Sequence, residues 1–329
     1  MKKIVGLILF VVVLLGAGCS GKTTGESTGN ETTPSPKALP VKKVNCIELP
    51  KQVPGASNVR FEVSENCALD HPVRIDKDNI VIVGNGVTLI PNDDNAESLD
   101  GFIVSSRNVI IDGFNFRGFD VPIVVSQSAR AIVSNISITA AKAAGIAVTR
   151  PPAPQPPPVL LKWIPSFDSF EWMATAHAAS CNGITGESLC AVARRVIEDF
   201  GALSLGADCP QLTLCGQVAV TATVPDSSAI YVGNASTLDN RAKLSITVDS
   251  PPPKAKGLNI SGSTVNLRQE TNINNSAGWA VYFDDRGGTL NVNAETGIGD
   301  MTAVHCGQGA ITGRKAPRAL SSRCSSDDD

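Results

Sequence analysis

Three short apolar runs with one frame follow each other between Asn79 and Asn135. The first is Asn79-Ile80-Val81-Ile82-Val83-Gly84 and the second Asn108-Val109-Ile110-Ile111-Asp112-Gly113. The third, looser, is Arg130-Ala131-Ile132-Val133-Ser134-Asn135. A second set interleaves with them: Gly101-Phe102-Ile103-Val104, Pro122-Ile123-Val124-Val125 and Gly145-Ile146-Ala147-Val148. Runs of β-branched residues bounded by Gly, Asn, Asp or Ser read as strands. Their return at roughly twenty-odd residues marks a solenoid, in which each coil stacks on its neighbours. Either Ile80/Ile82, Val109/Ile111 and Ala131/Val133 form the inward aliphatic ladder, or their alternates Val81, Ile110 and Ile132 do. Gly84 and Gly113 are placed to take the positive φ of the corners between faces.

The pattern stops at Arg150. Pro151–Pro158 (PPAPQPPP) cannot continue a ladder. Beyond it, Asp168 and Glu171 have the spacing of a capping box, and Phe170, Met173, Ala174 and His177 follow at helical spacing. A second helix is predicted over about 186–200, with Leu189, Val192, Val196 and Ile197 on one face. Strand character resumes at Gln217–Val224, so 151–228 reads as a Pro-rich, helical insertion leaving the solenoid. Coils return with Ala229-Ile230-Tyr231-Val232, Leu244–Val248, Leu258–Leu267, Ala280-Val281-Tyr282-Phe283, Leu290-Asn291-Val292 and Ala303-Val304-His305-Cys306. A domain order follows: N-terminal coils with a cap at 41–150, the insertion at 151–228, C-terminal coils at 229–316, and a loose, polar, acidic tail at 317–329. About eight coils stacked at ~4.8 Å predict a rod roughly 40 Å long.

Composition agrees with this all-β reading. Aromatic residues make up 5% of the chain, whereas 29 Gly and 21 Pro supply the turns. A net charge of −3 with no Lys/Arg cluster argues against nucleic acid as a partner. Nine cysteines are many for a reducing compartment. Apart from Cys19, the remaining Cys46, Cys67, Cys181, Cys190, Cys209, Cys215, Cys306 and Cys324 are an even set that reads as disulfides outside the cytosol. Cys46–Cys67 would lock the N-terminal cap, contributing ~3 kcal/mol by loop closure. Cys306 and Cys324 are placed to staple the tail. The four insertion cysteines allow three pairings, and local loops favour Cys181–Cys190 with Cys209–Cys215. His177 four residues before Cys181 also leaves zinc as a chemical alternative there.

The N-terminus carries an address. Met1-Lys2-Lys3 and the apolar run Ile4–Leu15 form a signal sequence, too short for the ~20 residues of a membrane-spanning helix. Its end, Leu15-Gly16-Ala17-Gly18-Cys19, resembles the lipobox of prokaryotic lipoproteins, with Gly16 where Leu is usual. That resemblance implies a signal peptide over 1–19 and lipidation of Cys19, hence an anchor in membrane lipid at the extracellular face. If the lipobox is not used, the protein is secreted. Residues 20–40 are almost devoid of large apolar side chains, which predicts a disordered tether.

The stretch Asn45-Cys46-Ile47-Glu48-Leu49, Asn66-Cys67-Ala68-Leu69, Val73-Arg74-Ile75 and Asn79–Leu89 resembles right-handed parallel β-helix proteins with NosD-like repeats, especially archaeal surface members. It implies a right-handed parallel β-helix, here interrupted by a small disulfide-bonded helical insertion. Fold of this kind does not specify activity.

Candidate chemistry is sparse. Asp284-Asp285-Arg286, His305 and Arg314-Lys315 faintly resemble the site of polygalacturonase-family β-helix hydrolases, although His305 lacks flanking glycines. The resemblance implies an acid and a carboxylate base acting across a glycosidic bond. The same Asp-Asp-Arg-Gly-Gly run reads naturally as a turn. Asp76/Asp78, Asp93-Asp94 and Asp112/Asp120 leave calcium as the one cofactor to consider, but none belongs to a calcium-binding repeat; Asp112-Gly113 reads first as a turn. Flat rings stack on sugar faces, so Trp279, Tyr282 and Tyr231 are candidates for carbohydrate contact along one face, with Trp163 and Trp172 read as insertion core. The sequence favours a non-catalytic surface protein acting in adhesion, scaffolding or polysaccharide binding. A polysaccharide lyase or glycoside hydrolase is the alternative; extracellular delivery of a metal or cofactor is disfavoured by only three His and three Met.

Overall fold

A computed structural model describes residues 38–92, 99–149, 177–179, 189–199, 203–206, 208–251 and 254–324. Its frame is an all-β parallel solenoid. One sheet has eight strands, so about seven turns of chain separate its first from its last. In chain order these are Val73–Ile75, Phe102–Val104, Ile123–Ser126, Ala144–Thr149, Ser228–Gly233, Lys256–Ser261, Trp279–Phe283 and Val304–His305. We call this the second sheet. The first sheet has 14 strands, and its main path runs from Val41–Val44 through Ile80–Pro91, Val109–Arg117, Ala131–Thr139 and Leu212–Ala222 to Gly309–Thr312. Every pairing in both sheets is parallel and joins each coil to the next, as the repeat predicts.

The first alternative forms the inward ladder, and the second is buried as well, on the opposite face. Ile80, Ile82, Val109, Ile111, Ala131 and Val133 face the interior of the solenoid. Val81, Val83, Ile110 and Ile132 point outward and are nevertheless buried, in a second core with Leu189, Val192, Ala193 and Val196. Those four belong to helix α2 (Leu189–Asp199), the one described in the insertion; two shorter helices, α1 (Leu49–Gln52) and α3 (Arg318–Arg323), lie near the two ends of the chain. A strand buried on both faces has no reason to alternate, which explains the unbroken Ile-Val-Ile-Val and Val-Ile-Ile runs. Arg60, itself buried, donates from its guanidinium to the Ile197 carbonyl in the last turn of α2, where a cation complements the helix dipole. The Leu205 amide donates to Asn108 Oδ1 at 2.6 Å.

The corners correct one expectation. The positive φ assigned to Gly84 falls on Asn85 (50°) and Gly86 (87°). A Cβ on Gly84 would lie 2.5 Å from the Phe114 ring, so glycine there makes room for the neighbouring coil. Gly113 does take positive φ, at 74°. The asparagine that precedes several of these strands also has a geometric role. Asn58, Asn79 and Asn108 take φ of 52°, 62° and 59° just before stacked strands. Inside these coils Phe102 packs edge-on against Phe114 and Phe116, with centroids 5.3 and 5.5 Å apart.

Two boundaries shift. The insertion was expected to reach residue 228, but Leu212–Ala222 is already a rung, pairing with Ala131–Thr139 on one side and Thr237–Asn240 on the other. The Leu212-Thr213-Leu214 alternation is the signal of a half-buried strand. The tail is also more ordered than expected through Cys324, because α3 buries Leu320 and Cys324 in the solenoid core. His177, expected on a helix, opens the strand His177–Ala179, which pairs with Leu203–Leu205. Helical spacing over a few residues is a weak preference that a strand partner overrides.

Disulfides join Cys46 to Cys67 and Cys306 to Cys324, one near each end of the described chain. The third corrects the local pairings: Cys190 on α2 bonds Cys215 on the Leu212–Ala222 rung, with Cα atoms 5.5 Å apart. Short sequence distance lost to the packing of α2 on the sheet. Cys209 is also disulfide-bonded. Cys19, Cys181, Trp163, Trp172, Asp93 and Asp94, with the first predicted helix and most of the tether, lie outside the described residues.

Candidate functional site

The second sheet stacks its coils in strict register, so residues that point outward from equivalent positions form columns along the axis. One column reads Arg74, Ile103, Val124, Ala147, Tyr231, Asn259, Tyr282, His305. Its first four members are aliphatic or basic. The last four carry two phenol rings, an amide and an imidazole. Each sits between inward apolar neighbours, as in Ile230-Tyr231-Val232 and Val281-Tyr282-Phe283, and this alternation fixes its direction. The adjacent column reads Ser228, Lys256, Trp279.

Three of these rings touch. Tyr282 and His305 stack at 4.6 Å between centroids, with planes 21° apart. Trp279 lies 5.6 Å from His305 and 6.3 Å from Tyr282. Lys254 Nζ sits 4.7 Å over the Trp279 ring and Lys256 Nζ 5.1 Å over Tyr282. Lys256 is held there by an ion pair of 2.6 Å with Asp226. Asn259 Nδ2 donates to Ser228 Oγ at 3.1 Å. The result is a half-exposed aromatic strip on a rigid sheet, with ammonium, amide and hydroxyl groups at its margins.

Tyr231, Tyr282 and Trp279 thus share one outer face, as their strand positions suggested. His305, read as a catalytic candidate, belongs to this strip. Lys254, Lys256 and Asn259 were not singled out in the sequence, though Asn259 occupies the same frame (Leu258-Asn259-Ile260) as Tyr282.

Asp284 and Asp285 fall in the turn that follows Tyr282-Phe283. The Arg286 amide donates to Asp284 Oδ1 at 3.0 Å and its guanidinium pairs with Oδ2 at 3.3 Å. Gly287, at φ 65°, completes the turn by donating its N–H to the Asp284 carbonyl. Asp284 holds the Arg286 pKa above its ordinary range, and Tyr231 adds to this. Arg286 also reaches Asn234 Oδ1 at 2.8 Å, which ties this turn to one two coils back. Asp285 is exposed, and no hydrogen bond joins His305 to either carboxylate.

The remaining acidic pairs serve the coils. Asp112 Oδ1 accepts from Ser134 and Asn135 of the next coil, Asp78 from the Arg107 amide and Asp76 from the Gly55 amide. Asp120 lies close enough to Asp100 to raise its pKa, after burial, the larger cause. Among the described residues no three His, Cys, Asp or Glu side chains converge as a metal site would require, and no helix is long and apolar enough to cross a membrane. No protein-family model, curated protein or solved structure matches the chain.

Proposed function

We propose that this protein is a non-catalytic, cell-surface recognition module that binds a polysaccharide or surface glycan on the aromatic strip of its second sheet. One observation carries the reading: Tyr231, Tyr282, Trp279 and His305 lie on one outer face of a rigid parallel sheet. Sugar rings present flat C–H faces that stack on aromatic rings, and their hydroxyls need polar partners alongside, which Lys254, Lys256 and Asn259 supply. Strands repeat at ~4.8 Å, so a rigid row of this kind suits a linear polymer better than a compact small molecule. In this proposal Cys19 carries lipid that anchors the solenoid at the extracellular face of the membrane, and residues 20–40 lift it away. The kinship proposed is with NosD-like archaeal surface solenoids.

The polysaccharide lyase or glycoside hydrolase alternative needs a free carboxylate facing a second acid or base. Asp284 is engaged by Arg286, and no hydrogen bond joins His305 to Asp284 or Asp285, which favours binding over catalysis.

A glycan array probed with the purified chain tests the reading. Binding to a saccharide class, reduced roughly two- to tenfold in Trp279→Ala or Tyr282→Ala for the ~0.5–1.5 kcal/mol of an aromatic contact, is the expected result. Product release from a polysaccharide by wild-type protein, abolished in Asp284→Ala, would establish the enzyme instead.

A further inference from the structure

On the outer face of the first sheet, just past the cover provided by α2, lies a polar cavity of 360 Å³. That size is near the lower end of small-ligand sites. Its floor is built around Asp239, whose side chain is only 2% exposed. Oδ2 of Asp239 accepts from Arg241 Nε at 2.8 Å, and Oδ1 from Arg268 Nε at 2.6 Å. The two arginines occupy corners of successive coils: the Arg241 amide donates to the Leu214 carbonyl and the Arg268 amide to the Asn240 carbonyl. Each guanidinium spends its Nε–H on Asp239, and the four N–H groups on its terminal nitrogens remain. Both side chains are partly exposed, at 29% and 49%. Asn266 accepts from Asn291 through Oδ1 and keeps its amide donors.

The charge at this floor does not balance. The other charged groups lining the cavity are Arg130 and Asp208, which attract each other. At the floor itself two guanidiniums, Arg241 and Arg268, share the one carboxylate of Asp239. Two like charges held on one buried carboxylate repel, and water alone offsets that less well in a walled cavity than on an open surface. A fork of terminal N–H groups is the geometry that matches a planar or tetrahedral oxyanion.

We propose that this cavity binds one oxyanionic group, a carboxylate or a sulfate, held by the terminal nitrogens of Arg241 and Arg268, with Asp239 as the residue that positions both. A free anion and an acidic sugar residue present the same group. The site is on a different sheet from the aromatic strip and does not depend on it.

Calorimetric titration of the full chain, at constant ionic strength in chloride, with sodium sulfate and with sodium glucuronate tests this. Wild-type protein should bind one equivalent of at least one of them. Equal binding of both supports recognition of the anion alone; binding of glucuronate only supports a sugar-borne carboxylate. Arg268→Gln, at the more exposed of the two arginines, should weaken the interaction roughly ten- to a hundredfold, the range for hydrogen bonds to charged groups. Tyr282→Ala should leave it unchanged, which separates this site from the glycan strip. Circular dichroism of Arg268→Gln confirms that the variant is folded. No binding of either anion by wild type, or wild-type affinity in a folded Arg268→Gln, would overturn the proposal.

Discussion

A single outward column of the first sheet runs the length of the solenoid and changes character midway. It reads Arg60, Val81, Ile110, Ile132, Thr213, Asp239, Asn266, Asn291, Thr312. Under α2 the members are Val81, Ile110 and Ile132, buried as deeply as the interior of the coils. Past α2 the same position becomes Asp239, Asn266, Asn291 and Thr312, with Asn291 bonded to Asn266 on one side and accepting from Thr312 on the other. The backbone geometry is the same in both halves, so the difference lies in what covers them. A covered column is stabilised by burial, at roughly 25 cal/mol per Å² of apolar surface. An uncovered one is held by side-chain hydrogen bonds between coils, each a net ~1 kcal/mol. The cover is local, and where it ends the cavity beside Asp239 begins.

The most severe way to break this contrast is to remove an apolar side chain beneath the helix. Ile110→Ala should cost about 2–5 kcal/mol in urea unfolding, the range for a fully buried isoleucine, whereas Asn291→Ala should cost only about 1 kcal/mol. Equal costs would show that α2 does not seal the column.

Next in size is the Cys190–Cys215 disulfide. Cys190→Ser with Cys215→Ser should lower stability by about 3 kcal/mol, on the closure entropy of the loop between them. Hydrogen exchange should then rise over Leu189–Asp199 and over Val81, Ile110 and Ile132, while the second sheet stays protected. Uniform loss of protection would mean that insertion and coils unfold as one unit.

A smaller effect is expected at the polar half. Asp239→Ala leaves two guanidiniums side by side without their shared carboxylate, at a cost of about 1–3 kcal/mol. Added sulfate should recover part of that loss, read as a rise in melting temperature at fixed ionic strength.

Much of the frame was legible in the chain. The Ile-Val-Ile-Val and Val-Ile-Ile runs, each opened by an Asn, made the coils readable, because stacking in register demands the same residue type at the same place. The Asp284–Gly287 turn was legible for the same local reason: a carboxylate two residues before an amide, followed by glycine, closes a turn wherever it occurs. The outward frame of Tyr231 and Tyr282 could also be read, since a strand alternates. Legibility failed where contacts cross long sequence distances. Gly84 looked like a corner glycine, and its neighbour Phe114 is 30 residues away. Cys190 looked closer to Cys181 than to Cys215.

The sequence by itself determined the coil and the alternation of strand residues between two faces, because these follow from local backbone sterics and period-two geometry. Only the tertiary structure decided that the outward valines and isoleucines are core, that Cys190 reaches Cys215, and that one aspartate gathers two arginines from successive coils. Each of those depends on a cover, a corner or a stacked neighbour supplied by a distant segment, and nothing in a residue's immediate surroundings records which segment will arrive.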